Sequence, residues 1–168
     1  GDVWNDPYPG ASQTANVVYS AFGERPKHLD PARSYSSNEV EFTGQIYEPP
    51  LQYHFLKRPY ELIPLTAEAV PEPQFFDKAG KRLPADAPAS QIAESVYEIT
   101  IRPGIRYQPH PAFARDAAGK LIYRALTPDA LAGKTQIADF EHTGTRELTA
   151  SDYVYQIKRL ADPALASP

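Results

Sequence analysis

Eighteen of the 168 residues are proline, and that frequency limits the chain to short elements before any other feature is weighed. Each proline removes a backbone donor and holds φ at about −65°. It also pushes the residue before it out of the helical region. Long uninterrupted helices are therefore not expected. The readable elements should be short ones, set between proline-marked turns.

The best-signed helices are those that open on a capping box. In Ser36-Ser-Asn-Glu39 a hydroxyl and a carboxylate stand three residues apart, so each can satisfy a free donor of the first turn. The spacing predicts a helix to about Tyr47, with Phe42 and Ile46 on one face and Val40, Thr43 and Tyr47 beside them. Pro49-Pro50 stops it. Thr149-Ala-Ser-Asp152 opens a second helix, with Tyr153, Val154, Ile157, Leu160 and Ala161 as its apolar stripe and Asp162-Pro163 as its end. Thr127-Pro128-Asp129 signals a short third helix, with Thr127 as N-cap and Pro128 in its first position.

Strand signals lie between these. Asn16–Phe22 reads as a first strand ended by Gly23, after a polar, turn-rich leader or tether over 1–15. Leu51–Leu65 reads as an edge strand or short hairpin around Pro59 and Pro64. Phe75–Leu83 reads as a small hairpin turning at Ala79-Gly80. Ser95–Ile101 alternates most clearly, with Tyr97, Ile99 and Ile101 on one side. Pro103-Gly104 suits a type II turn. The fold class expected is α/β in the broad sense, mixed α+β.

Chemistry is sparse along the chain. The net charge of −4 speaks against a nucleic-acid surface. The absence of Cys excludes disulfides and thiolate metal sites. No apolar run approaches the roughly 20 residues of a membrane span. His28, His54, His110 and His142 lack metal-ligand spacing and read as surface or hydrogen-bonded loop residues. Gly133-Lys134-Thr135 mimics the end of a P-loop, but the glycine required five positions earlier is Pro128. The carboxylate pairs Asp2/Asp6 and Asp139/Glu141 read as solvated surface charge. Of the 11 tyrosines, Tyr47, Tyr53, Tyr97, Tyr153 and Tyr155 fall on expected elements and read as packing residues. The residues thus point to a non-catalytic protein with no metal and no cofactor.

Four segments, in order, resemble the extracellular solute-binding proteins of family 5, the peptide- and nickel-binding class. They are Val17-Val-Tyr-Ser-Ala with Leu29-Asp-Pro-Ala32; Gln45-Ile-Tyr-Glu-Pro-Pro-Leu51; Glu61-Leu-Ile-Pro-Leu-Thr-Ala-Glu68; and Tyr97-Glu-Ile-Thr-Ile-Arg-Pro-Gly-Ile-Arg-Tyr107 with Leu148-Thr-Ala-Ser-Asp-Tyr-Val-Tyr-Gln-Ile-Lys-Arg-Leu160. The resemblance spans Asn16 to Pro163. It implies that 16–168 form part of the N-terminal lobe of a class II periplasmic-binding-protein-like fold, within a longer, two-lobed, monomeric protein. That protein would be exported to the periplasm, bind a peptide or other small solute, and hand it to the permease of an ABC transporter. The ligand contact implied is the turn after the first strand, at Phe22, Gly23 and Glu24, where an acidic or polar residue meets the ligand's amino terminus. Family members need only a short turn between the last two motifs, whereas here a proline-rich insertion runs from about 108 to 147. That insertion raises the alternative of a non-catalytic module that grips a protein partner through it.

Overall fold

The computed structural model describes residues 23–168; the leader or tether expected over 1–15 and the strand expected over 16–22, with Phe22, lie outside them. The described chain is a mixture of short helices and small antiparallel sheets, as the proline spacing requires. Its main elements are α1 (Ser37–Ile46), β1 (Leu51–Tyr53), β2 (Leu62–Pro64), β3 (Pro73–Phe76), β4 (Glu94–Tyr97), α2 (Pro128–Leu131) and α3 (Ala150–Leu160).

The three helices begin where the caps place them. Ser36 and Glu39 form the capping box of α1, Thr149 and Asp152 that of α3, and Thr127 Oγ1 accepts from Ala130 N at the head of α2. β1 and β2 pair antiparallel, with Gln52 opposite Ile63, which makes 51–65 the hairpin. The turn expected at Ala79-Gly80 is present: Phe76 bridges Arg82, and Gly80 takes a φ of +77°. The same turn is built again at Asp116-Ala-Ala-Gly119, where Arg115 bridges Leu121 and Gly119 has φ +79°. In both, the aspartate Oδ1 accepts from the backbone N–H groups two and four residues on.

The strand expected over 95–101 is shorter than its alternation suggests. β4 pairs with β3, Gln74 opposite Val96, only as far as Tyr97. The chain then changes partner. Thr100 O accepts from Glu68 N, Ile101 bridges Ala67, and Arg102 N donates to Thr66 O. One alternating run thus serves two neighbours, and the change of partner falls within it. Pro103 and Gly104 follow as a turn, with Gly104 at φ +81°, the left-handed corner that a type II turn requires.

Segment 65–68 is the hub of this frame. Leu65 N and Ala67 N donate to Pro50 O, while its other edge meets 100–102. Among the described residues the buried apolar positions are Ala32, Ala67, Ala114 and Pro111, and the largest fully buried side chain is Thr66. Of the apolar stripe expected on α3, Tyr153 faces this core but the aliphatic residues do not. Val154, Ile157 and Leu160 are exposed, and the half-buried face carries Asp152, Tyr153, Gln156 and Arg159 instead. On α1, Val40 and Ile46 are likewise exposed. Hydrophobic spacing found the helices but not the side on which the described residues cover them.

Residues 105–148 close on themselves. Arg106 bridges Glu147, and His110 and Gly144 exchange backbone bonds in both directions. The segment expected to be an insertion, 108–147, therefore grows from a two-stranded stem whose first strand continues directly from the Arg102-Pro-Gly turn.

Candidate functional site

Of the implied ligand contacts, Gly23 and Glu24 are described and exposed, and Phe22 lies outside the described residues. Glu24 borders a cavity of about 240 Å³ whose wall also includes Arg25, Lys27, His28, Arg33 and Glu39. Gly23 precedes this wall in the chain and takes no part in it.

The loop that forms the wall is organised by one buried carboxylate. Glu39, only 4% exposed, accepts from Lys27 N and His28 N through Oε1 and from Tyr35 N and Ser36 N through Oε2. The bond from the His28 amide, with those from Tyr35 and Lys27, lowers its pKa to about 2 despite burial. Asn38 Nδ2 donates to Glu24 O, and Ser34 Oγ to His28 O, so the rim is fixed from two further sides. The Glu24 carboxylate takes no part in these bonds. Among the described residues the side chains of Arg25 and Lys27 likewise have no hydrogen-bond or ion-pair partner.

Behind this loop, Asp30 receives Arg159 in a two-pronged pair, with Nη1 to Oδ1 at 2.8 Å. The Arg159 hydrogen bonds, with that from Ala32 N, hold the Asp30 pKa at about 2. Asp30 and Glu39 are therefore both ionised at neutral pH. They act as fixed acceptors that shape the loop, not as acids or bases for chemistry.

A second polar group ties the frame together through a hydroxyl whose partners were not legible in the sequence. Tyr153 Oη lies 2.6 Å from Thr66 Oγ1 and donates to Glu48 O at 2.8 Å, joining α3 to the hub and to the chain just after α1. A third cluster seals the 105–148 stem. Arg146 lies over the rings of Tyr107, at 4.7 Å, and Phe113, and pairs with Asp152. That hydrogen bond lowers the Asp152 pKa and raises that of Arg146, while burial raises that of Tyr107.

The other candidates take structural roles. His54 Nδ1 accepts from Leu56 N and Lys57 N, and His110 Nδ1 from Ala112 N, as hydrogen-bonded loop histidines do. Lys134 and Thr135 of the P-loop mimic are engaged with Asp139: Lys134 Nζ with its carbonyl, Thr135 N with its carboxylate. Asp139 is thus a local cap and not merely solvated charge. Tyr47, Tyr53, Tyr97 and Tyr155 are exposed, so of the five expected packing tyrosines only Tyr153 is half-buried. Among the described residues no group of three or more His, Asp or Glu side chains converges on a metal position. No described helix is long and apolar enough to cross a membrane.

A larger depression, about 520 Å³, lies between the 77–83 turn and residues 90–93. Asp77, the one carboxylate in its wall, is occupied with its own turn. The Glu24 cavity is the better candidate, since the charged groups of Glu24, Arg25 and Lys27 in its wall remain available. Compared with known proteins, the chain matches no family model, no curated sequence and no solved structure.

Proposed function

We propose that this chain is part of the first lobe of an exported, periplasmic solute-binding protein that delivers peptides or similar small solutes to the permease of an ABC transporter. It acts by binding, without catalysis and without a cofactor. What supports the reading is the way the four family-like segments close on one another. Asp30 of the first meets Arg159 of the fourth, 129 positions away. Glu48 of the second and Thr66 of the third share Tyr153 Oη of the fourth, and Ala67 bridges Ile101. Motifs that meet in space as well as in order make a single frame, and that frame holds the Glu24 cavity at its edge.

The exposed stripes of α1 and α3 fit the same reading, because a lobe within a larger protein has faces for further layers to cover. Binding proteins of this architecture close two lobes over the ligand. The two-lobed protein that contains this chain should therefore gain thermal stability from short peptides, and the chain by itself should not. A two-lobed protein whose Tm stays unmoved by peptides, nickel chelates and sugars would sink the proposal.

One observation favours the second reading, a protein-interaction module. The insertion has its own stem, its own Asp116 turn and an aromatic pair, Tyr123 with Phe140, at 5.1 Å. Deleting Pro111–Thr143 across the stem separates the two. Lost partner capture with solute binding intact favours the module.

A further inference from the structure

Residues 94–102 run antiparallel first to β3 and then to 66–68, and alternate residues of the run make the bonds. Phe75 O accepts from Leu83 N, so Phe75 faces away from β4 while Gln74 and Phe76 face it. Val96, opposite Gln74, therefore turns its backbone towards β3. Thr100 O and Arg102 N fall on the same alternation and meet Glu68 N and Thr66 O. The residues between, Ser95, Tyr97, Ile99 and Ile101, direct their N–H and C=O groups to the opposite side. Among the described residues those groups have no hydrogen-bond partner.

The two outer edges of this sheet are finished differently. On the β3 side the chain returns through the Gly80 turn, and Leu83 N and Lys81 O close the edge. The side of Ser95–Ile101 carries no such cover. Exposed edges are ordinarily blunted by proline, lysine or a bulge. Ser95–Ile101 contains no proline, lysine or glycine, is rich in β-branched residues, and is exposed from Ser95 to Thr100. Its one charged residue is Glu98.

The edge itself specifies what can cover it. Donor and acceptor pairs that recur every second residue, about 7 Å apart, match another extended backbone. A second copy of the chain is a poor match. Antiparallel pairing over the whole of 95–101 would set Glu98 opposite Glu98 in a non-hydrogen-bonded pair, where side chains lie closest and like charges destabilise. The same position favours a cation from a different strand.

We propose that Ser95–Ile101 is a strand-addition site, which receives an extended segment of a partner polypeptide, antiparallel, with Lys or Arg opposite Glu98 and apolar residues opposite Tyr97 and Ile99. Main-chain bonds supply the affinity, and Glu98 sets the register. This inference rests on the pairing of 94–102 alone and stands apart from the solute-binding proposal.

Amide exchange followed by NMR on the 168-residue chain tests it, with the peptide acetyl-Val-Thr-Val-Lys-Val-Thr-Thr-amide as probe. Saturating probe should slow exchange at Ser95, Tyr97, Ile99 and Ile101 at least about tenfold and leave Val96, already bonded to β3, unchanged. Glu in place of the probe's Lys should abolish the protection, and Glu98→Lys should restore it for that Glu probe. N-methylation of the two valines that flank the probe's Lys should abolish binding, because their N–H groups face the edge. N-methylation of the Lys itself, whose N–H faces away, should not. The proposal is overturned if the probe leaves these amides unchanged, if the Lys and Glu probes protect equally, or if the amides are already protected in the dilute chain alone. Protection that needs no probe and grows with chain concentration would overturn it too, and would assign the edge to a second copy.

Discussion

Asp30 and Arg159 stand 129 residues apart in the chain and meet as a two-pronged carboxylate–guanidinium pair. The pair fastens the Leu29-Asp-Pro turn to the last turn of α3, where a cation also complements the helix dipole. Both side chains are about one-quarter to one-third exposed, so solvent weakens the pair without abolishing it. Asp30→Ala should cost about 1–2 kcal/mol by urea denaturation. Arg159→Lys should recover only part of the parent midpoint, since an ammonium cannot reproduce the fork. Equal midpoints for the lysine variant and the parent would show that the charge matters and the geometry does not.

Acid should loosen the same region. Asp30 and Glu39 each titrate at about 2 in the folded chain, below their ordinary values of 3.8 and 4.5. The unfolded chain therefore binds protons more readily, and stability rises with pH across this window. The contribution is complete above about pH 5 and is lost progressively as pH falls from about 4.5 towards about 2. Glu39→Gln should flatten the upper part of that acid limb. An acid limb identical to the parent's would assign the acid response to other carboxylates, of which Asp139 and Asp152 are also lowered.

The sequence was most informative where a signal is local. Ser36, Thr127 and Thr149 marked the helix starts because a cap needs only residues within one turn. Gly80 and Gly104 marked turns because a positive φ suits glycine. It was least informative where a contact is distant. The stripe set Tyr153 apart from Tyr155, but nothing near Tyr153 in the chain indicates that its hydroxyl bonds Glu48 O while Tyr155 faces solvent. Alternation over 95–101 correctly indicated extended backbone but could not indicate the change of partner from β3 to 66–68. The apolar stripe of α3 was legible as a stripe, whereas its direction depends on what packs against it. At the candidate site, Glu24 came from the family likeness. The carboxylate that builds the wall, Glu39, was legible only as a cap, because three of its four donors lie upstream of the capping box.

Gly144 should be intolerant of any side chain. A Cβ built there would collide with Phe113 O and crowd Ala114 N. The cause is close backbone approach at the His110–Gly144 rung of the stem. Gly144→Ala should cost about 1–3 kcal/mol and open the stem to proteolysis between Pro111 and Thr143. Gly23→Ala is the control, since no atom lies within 4 Å of a Cβ at that position, and its Tm should match the parent's. A stable, protease-resistant Gly144→Ala chain would mean that the stem does not pair in this register.

Glu24 allows binding and folding to be separated. Its backbone carbonyl accepts from Asn38 Nδ2, so the main chain is fixed, while its carboxylate borders the cavity with no part in that bond. Glu24→Ala should therefore change stability by no more than about 0.5 kcal/mol, as for an exposed side chain. In the proposed two-lobed protein the same substitution should weaken peptide binding about tenfold, as expected if Glu24 makes the one charged contact to the ligand's amino terminus that the proposal assigns it. Glu24→Gln tests the charge, because an amide keeps the shape and an acceptor but removes the attraction for an ammonium. Peptides blocked at the amino terminus should bind parent and variant alike. If blocked and free peptides lose the same affinity in Glu24→Gln, the carboxylate acts on the loop and not on the ligand, and the ligand's amino terminus is held elsewhere.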